Sequence, residues 1–352
     1  MKTFKMLLPG MAILMMVNSV SAQTWTQTSA PSNDWVSVAS SADGSKLVAA
    51  AGLTNGGDGL IYISTNSGVD WMPTSAPTDS WITVASSGDG TKLVAAASGD
   101  FIYTSTNSGS DWTATSAPSN SWAAVATSAD GCRLAAAAND DGIYFSTNSG
   151  LDWTESDAPI TNWNSIASSA DGTKAIAANG GEVWISEDSG ATWTQTDLHS
   201  ESWSSVCSSA DGKRLFAGAF PAGPTGISTN SGASWTTDNY LFGPYIMRCS
   251  ADGNKLVGLG LRPLPGGSYI FGIYISTNLG VDWFQETTLS ASTLASSADG
   301  NKLAVGTPAA FSVKMPSGRI ITIGATGLIY SSFSTPSPQI NVTPINGSFK
   351  LS

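Results

Sequence analysis

The chain has 352 residues, of which 12% are charged, and 15 basic against 26 acidic side chains give a net charge of −11. A polyanion binder needs a basic stripe that releases counterions, so this composition argues against nucleic acid and anionic lipid surfaces as partners. Beyond the N-terminus, no stretch approaches the roughly 20 apolar residues of a membrane-spanning helix, and we expect no membrane span.

The first predicted element, residues 1–22, is a secretory signal peptide. A positively charged start is followed by the apolar run 6–17 and by the small residues Val20, Ser21 and Ala22. This order is typical of export signals, and the apolar run is too short for a membrane span. We therefore expect a secreted protein, extracellular or periplasmic or at the cell surface, after cleavage near Ala22.

Residues 23–333 are predicted to form one repeat domain. Asp-Gly dipeptides recur at spacings of 46, 41, 41, 40, 41 and 47 residues, each within a version of SADGxKL. We name these the Asp-Gly turns, and their aspartates are Asp43, Asp89, Asp130, Asp171, Asp211, Asp252 and Asp299. A second motif, S-x-[N/D]-x-G-x-x-W, follows the first six. We name its copies the tryptophan turns: 64–71, 105–112, 146–153, 186–193, 228–235 and 276–283.

Each repeat predicts four short strands separated by clusters of Gly, Asn and Asp, and helical periodicity is absent. Repeats of about 40 to 50 residues with four strands indicate propeller blades. The domain begins with a fourth strand (24–31) that lacks its first three, and the last repeat (291–333) ends at a third strand. We predict an all-β, seven-bladed β-propeller with four antiparallel strands per blade, closed by the N-terminal strand completing the last blade.

The blade topology assigns the loops to two faces. Connections between strands one and two share a face with those between strands three and four, so both turn motifs lie on one side, the turn face. The opposite side, the loop face, carries connections of variable length, and segment 306–327 is long enough for an extra hairpin. Function tends to lie on variable loops of a rigid scaffold. We therefore expect a protein or carbohydrate ligand there, with a bias toward blades five to seven.

A second aromatic series lies eight residues before the Asp-Gly aspartates, at the start of each predicted first strand. Blade six has a Pro-Tyr pair at this place. Two interpretations are open: stacking platforms for a ligand near the channel mouth, or packing between blades. The candidate ligand-binding residues are Trp35, Trp81, Trp122, Trp163, Trp203 and Tyr245.

The tryptophan turns resemble the Asp box, or BNR repeat, of sialidases and related propellers. Asp and Asn can both accept backbone N–H groups within such a turn, and the tryptophan is expected to pack between strands or blades, so we predict structural roles. The residues concerned are Asn66, Trp71, Asn107, Trp112, Asn148, Trp153, Asp188, Trp193, Asn230, Trp235, Asn278 and Trp283.

The resemblance to sialidases invites a search for their arginine triad. The arginines are Arg133, Arg214, Arg248, Arg262 and Arg319, and two of these follow Asp-Gly turns on the wrong face. Lysine does not replace the bidentate geometry, so sialidase activity is not expected. The chain also resembles the seven-bladed, non-enzymatic photosystem II assembly-factor propellers, although their basic patch has no counterpart here. This resemblance implies a scaffold without catalysis.

The alternative is a carbohydrate-active enzyme that uses two carboxylates about 5 to 9.5 Å apart on the loop face. The single histidine, His199, has no partner set for nucleophilic catalysis. We therefore expect a non-catalytic binding or scaffold propeller, without a metal or cofactor. The carboxylates of the alternative are Asp34, Asp58, Asp79, Asp100, Asp140, Asp141, Glu182 and Glu201.

Cysteines and the C-terminal tail add two further expectations. Cys132, Cys207 and Cys249 are odd in number, and a Cys207–Cys249 bridge is conceivable from their similar places in successive repeats, although neighbouring strands rarely offer the required geometry.

Residues 334–352 are predicted to form a linker and two short strands around an Asn-Gly turn, too little for a domain. They suit a docked or mobile tail, or the start of a missing module.

Overall fold

The computed structural model describes residues 24–53, 57–199, 201–221, 223–238, 242–264, 269–307, 310–314, 320–324 and 327–333. Every regular element in these residues is a β-strand. None of them belongs to a helix with the length and apolar character needed to cross a membrane. The predicted signal peptide (1–22) and the tail (334–352) lie outside the described residues.

The strands form seven antiparallel blades around a central channel. The first strand, β1 (Thr24–Gln27), belongs to the last blade. Blades 1 to 3 follow in chain order: β2 (Trp35–Ser40), β3 (Leu47–Ala51), β4 (Ile61–Ser64) and β5 (Met72–Pro73); β6 (Trp81–Ser86), β7 (Leu93–Asp100), β8 (Ile102–Ser105) and β9 (Thr113–Ala114); β10 (Asn120–Thr127), β11 (Leu134–Ala138), β12 (Ile143–Ser146) and β13 (Thr154–Glu155).

Blades 4 to 6 repeat the pattern, and blade 7 has three strands of its own together with an inserted hairpin, β28–β29. A short pairing of β7 with β10 also joins blades 2 and 3. The remaining strands are β14 (Ser165–Ser168), β15 (Ala175–Ala178), β16 (Glu182–Ser186) and β17 (Thr194–His199); β18 (Trp203–Ser208), β19 (Leu215–Ala219), β20 (Thr225–Ser228) and β21 (Thr236–Thr237); β22 (Gly243–Cys249), β23 (Leu256–Pro263), β24 (Tyr269–Ser276) and β25 (Phe284–Thr287); β26 (Thr293–Ser296), β27 (Lys302–Gly306), β28 (Ala310–Lys314), β29 (Ile320–Gly324) and β30 (Ile329–Phe333).

The N-terminal strand completes the last blade, as the sequence predicts. β1 pairs antiparallel with β30, with Thr24 opposite Phe333 and Gln27 opposite Tyr330. The Thr28 N–H continues the ladder to the carbonyl of Ile329 at 3.0 Å. Because β30 also pairs with β27, the first and last strands of the domain share one sheet, and the ring has no open end at this blade.

A circle of backbone hydrogen bonds joins all seven blades at one end of the channel. In each blade, the residue before the Asp-Gly aspartate donates its N–H to the carbonyl of the equivalent residue in the next blade, at 2.6–2.8 Å. The last bond returns from Ala298 to Ala42, which confirms a closed ring of seven. The residues in order are Ala42, Gly88, Ala129, Ala170, Ala210, Ala251 and Ala298.

The core lies between blades rather than within one layer. The second strand of each blade is covered on both faces by its neighbours, so β3 is buried along its whole length and consists of small or branched apolar residues. At the junction of blades 1 and 7, Trp35 and Tyr62 pack with Ile329 of the closing blade. Each of the other junctions holds an equivalent apolar cluster. Burial of these surfaces is the main favourable term in such a fold.

Candidate functional site

The two ends of the ring carry the loops that the topology assigns to them. In blade 1, Ser67 of the tryptophan turn donates its N–H to the Ser45 carbonyl beside the Asp-Gly turn at 2.8 Å, so both motifs lie on the turn face. At the other end, Gly52, after the second strand, donates to the Asp34 carbonyl at 2.9 Å, just before the first strand. The variable connections therefore share the loop face with the beginnings of the first strands.

The second tryptophan series is buried between blades, which corrects the expectation that these residues bind a ligand. The indoles of Trp35, Trp81, Trp122, Trp163 and Trp203 are 0–1% exposed. Trp35 packs edge-on against Tyr62 at 5.3 Å, and Trp122 packs against Tyr144 at 5.5 Å. A stacking platform has to expose a ring face to solvent, so these five residues serve interblade packing.

A β-bulge gives the physical reason. The register of the first strand shifts directly after the tryptophan, between Trp35 and Ser37 in blade 1 and between Trp81 and Thr83 in blade 2. The extra residue changes which side chains face the channel. Accordingly Val36 and Ile82 line the channel, while the indoles beside them lie in the interblade core.

Blade 6 replaces the tryptophan with two separate aromatic residues. Tyr245, the sixth candidate, is half-buried at the channel wall, where its hydroxyl donates to the Ala291 carbonyl and burial raises its pKa. Phe242 is fully buried and takes the place of the indole, 4.2 Å from Tyr274 and 5.0 Å from Trp283. Sequence reasoning missed Phe242 because it lies two residues before the register position of the other tryptophans. The sequence signal for this difference was Pro244, whose side chain is too small to fill the space of an indole.

The tryptophan turns use their polar atoms internally. In blade 1, the Ser64 hydroxyl donates to Asn66 Oδ1 at 3.0 Å and accepts the Gly68 N–H at 2.9 Å. Asn66 Oδ1 also accepts the Asp70 N–H at 2.8 Å. Gly68 has a φ of 88°, a conformation that glycine adopts without the strain of a Cβ. In this geometry Asn66 holds its own turn together.

The Asp-Gly turns build a ring of alternating charge on the turn face. A cation lies three residues after each aspartate, and its aliphatic stem covers the Asp-Gly glycine of the next blade: a Cβ on Gly90 would lie 2.7 Å from Lys46 Cδ. Hydrogen bonds from Ser87 and Thr91 lower the pKa of Asp89 to about 2, with a smaller contribution from Lys46. The cations of the ring are Lys46, Lys92, Arg133, Lys174, Arg214, Lys255 and Lys302.

Most carboxylates proposed for a glycosidase site already have partners on the loop face. The Tyr62 hydroxyl donates to Asp58 Oδ2 at 2.5 Å, and the Trp184 indole N–H donates to Glu182 Oε2 at 3.1 Å. In blade 3 the corresponding acid, Asp141, accepts from Tyr144 at 3.2 Å and from Asn120.

The remaining candidates are scattered around the loop face. Asp34 is buried, Glu201 is exposed, and Asp140 has a φ of 56° in the turn before Asp141. The side chain of His199 lies outside the described residues.

Asp79 and Asp100 are the two loop-face carboxyls that the structure brings together. Burial raises the pKa of Asp79, and a hydrogen bond and charge repulsion from Asp100 raise it further, against an opposing hydrogen bond from the Ser80 N–H. Two carboxyls that share a hydrogen bond are closer than the roughly 5 to 9.5 Å that a glycosidase pair requires. A pair in such contact at neutral pH is expected to share one proton, because two like charges so close together disfavour ionisation of both.

The central channel has a volume of about 470 Å³ and is lined by first strands from all seven blades. Its wall consists of small apolar and hydroxyl residues with one charged side chain, Arg248, in the part that the structure describes. Cys207 and Cys249 flank it on adjacent blades as free thiols, so the structure does not contain the conceivable bridge between them. Burial and a hydrogen bond to Cys249 raise the pKa of Cys207.

Comparison with known proteins identifies the fold. No protein-family model matches the sequence, and no curated protein matches it. The structure is similar to YCF48 from Cyanidioschyzon merolae, with a TM-score of 0.61, 14% identity and coverage of 88% of this chain and 98% of that one. A second similar structure, YCF48 bound to D1 peptide, has a TM-score of 0.62, 14% identity and coverage of 90% and 97%. Together with the strand pairings, these likenesses identify the chain as an all-β, seven-bladed β-propeller.

Proposed function

We propose that this chain is a non-catalytic propeller that binds a segment of a partner protein on its loop face. The observation that carries the proposal is a patch at the junction of blades 1 and 2, where exposed apolar side chains flank the Asp79–Asp100 pair. We name Leu53, Asp79, Asp100 and Phe101 the junction patch.

The members of the junction patch adjoin one another. Leu53 is 47% exposed and Phe101 is 41% exposed. A Cβ on Gly59 would lie 2.5 Å from Leu53 Cδ2 and 2.8 Å from the Asp79 carbonyl, which places both residues beside the same glycine. Phe101 directly follows Asp100 in the tight turn between β7 and β8.

The chemistry of the junction patch fits a polypeptide that presents a basic side chain between apolar ones. Exposed apolar groups beside charges are typical of protein-binding surfaces. The acid pair would attract a cation and set its orientation. Burial of the five indoles removes the aromatic platform on which a glycan ligand would depend. A propeller of similar fold, YCF48, is known with a D1 peptide bound.

Export is a further part of the proposal. It is supported by the charged start, the apolar run and the small residues before Gln23. N-terminal sequencing of protein recovered from the medium or periplasm of its host should begin at or near Gln23. Mature protein that retains Met1 inside the cell would contradict it. The junction patch lies on blades 1 and 2, and the bias toward blades five to seven stays a separate prediction, because parts of their loops lie outside the described residues.

A peptide display screen against the purified propeller tests the binding function. Random peptides of about 12 residues should be enriched for a Lys or Arg flanked by apolar residues. Phe101→Ser and Leu53→Ser should each lower the affinity for the selected peptides at least tenfold. The control is Leu151→Ser, which removes a 74% exposed side chain from the turn face and should leave binding unchanged. Peptide binding lost only in the control, or glycoside turnover by the wild type, would overturn the proposal.

A further inference from the structure

Arg248 occupies a position that the other blades give to a small residue. It lies four residues before the Asp-Gly aspartate of blade 6, at the channel wall. Blade 5 has Cys207 there, and the other five blades have alanine: Ala39, Ala85, Ala126, Ala167 and Ala295. The guanidinium is therefore a local departure from the repeat and is not required by the packing of a blade.

No negative charge compensates Arg248 within the described channel. One of its N–H groups donates to the Met247 carbonyl at 2.9 Å, and no carboxylate lines the wall. The aspartates of the turn face accept hydrogen bonds within their own turns and lie near the cations of the ring. Burial lowers the pKa of Arg248, although an arginine stays protonated in proteins. Arg248 is half-buried, and a cation withdrawn from solvent without a counter-charge is unfavourable, so a bound anion would relieve it.

The channel hydroxyl groups three residues before the Asp-Gly aspartates do not compete for this role. Ser208, next to Cys207, donates to the Ser209 carbonyl at 3.0 Å, and Ser296 in blade 7 donates to the Ser297 carbonyl at 3.0 Å. The equivalent hydroxyls in blades 1 to 4 make the same local bond, and blade 6 has Cys249 at this position. Among the described side chains of the wall, the guanidinium therefore has the largest number of donors available to a ligand, since arginine carries five N–H groups.

We propose that Arg248 anchors a carboxylate-binding site inside the central channel. The planar fork of a guanidinium matches a carboxylate with two parallel hydrogen bonds. The volume of about 470 Å³ lies within the roughly 300 to 1,000 Å³ of small-ligand sites. Two sources supply this chemistry: a free small carboxylate, and a carboxylate on a polypeptide that enters the channel. The site is separate from the junction patch and does not depend on it.

Isothermal titration calorimetry at low salt tests the proposal. The ligands are acetate, succinate, and a short peptide with either a free or an amidated C-terminus. Wild-type protein should bind at least one carboxylate, and Arg248→Ala should weaken it by roughly 10- to 100-fold, as expected for loss of a charged hydrogen bond. Arg248→Lys should give an intermediate affinity. Alanine is the residue of five other blades at this position, so the variant should fold.

The matched control is Lys213→Ala, which removes one positive charge from a side chain that is 69% exposed on the turn face. It should bind like the wild type. Preference for the free peptide terminus over the amide identifies a polypeptide source, and binding of succinate or acetate without that preference identifies a small molecule. The proposal is overturned if wild type binds neither, or if Arg248→Ala binds as tightly as Lys213→Ala. If Arg248→Ala fails to fold, the carboxylate affinities of Arg248→Lys and Lys213→Ala are compared in the same way.

Discussion

Two residues before its buried tryptophan, blade 2 carries Asp79 where blades 1 and 3 carry Asn33 and Asn120. The Asn120 amide donates to Asp141 at 2.5 Å without any change in protonation. Asp79 has to hold a proton to donate to Asp100, and burial together with the neighbouring carboxylate raises its pKa accordingly. A single exchange of amide for acid thus adds a pH-sensitive contact to the loop face of blade 2.

Asp79→Asn should stabilise the protein at neutral pH by about 0.5–1.5 kcal/mol, the usual net contribution of one hydrogen bond. Because the pKa of Asp79 is raised in the folded state, the wild type is favoured below the unfolded value near 3.8 and loses stability as pH rises above it. The gain in the free energy of unfolding should therefore be present at pH 7 and vanish below about pH 4. Urea denaturation at both pH values measures it. The converse variant, Asn120→Asp, should destabilise at pH 7, and equal stability of all three proteins would contradict the pairing.

The buried indoles predict a stability effect at the residue scale. Trp122 is 1% exposed, and its indole N–H donates to the Asp100 carbonyl at 3.0 Å. Trp122→Ala should lower the free energy of unfolding by about 3–5 kcal/mol, as for other buried aromatic residues. Ile82→Ala, at a 37% exposed position of the channel rim, should cost less than about 1 kcal/mol. Denaturant titration of both variants checks this, and a stable Trp122→Ala that has lost only ligand binding would restore the platform interpretation.

At the scale of the element, the Asp-Gly turn is the most uniform part of the blade. Its serine is buried, donates to the aspartate and accepts a backbone N–H: in blade 2, Ser87 Oγ lies 2.7 Å from Asp89 and accepts from Lys92 N at 3.0 Å. Because Asp89 and Asp171 have pKa values near 2, each turn is held by an ionised carboxylate at neutral pH. Because the turn occurs seven times, the free energy of unfolding should depend strongly on pH in acid.

The turns predict unfolding in acid. A carboxyl whose folded pKa is lowered contributes stability that is complete above its unfolded value of 3.8 and disappears as pH falls toward 2. The free energy of unfolding should therefore drop between about pH 4 and pH 2, with several protons taken up on unfolding. Asp89→Asn should reduce this uptake by about one proton. A flat stability profile through pH 2 would contradict the role of the aspartates.

At the scale of the whole molecule, features set by the length of the repeat can be predicted from the sequence. Features set by the register between strands cannot. Asp-Gly spacings and the lone fourth strand at 24–31 are enough to predict seven blades and the closing strand, and the length of segment 306–327 predicts the hairpin in blade 7. The bulge after Trp35 is a one-residue shift with no sequence signal of its own, and it decides that the indole is buried. Arg248 lines the channel only because the blades form a ring, and Asp79 and Asp100 meet within blade 2 only because β6 pairs with β7.

Closure of the ring by β1 is the central claim, and a disulfide across β1 and β30 tests it most directly. Gln27 and Tyr330 face each other in register, with a sequence separation of 303 residues. In the double variant Gln27→Cys with Tyr330→Cys, mild oxidation of the folded monomer should give an intramolecular bridge between these peptides by mass spectrometry. Directly opposed residues of an antiparallel pair have Cα atoms roughly 4.5–5.5 Å apart, within the roughly 4.4–6.8 Å of a disulfide. The out-of-register pair, Gln27→Cys with Ser331→Cys, should not form it. Absence of the first bridge, or its formation only between two chains, would contradict a ring closed by its own N-terminal strand.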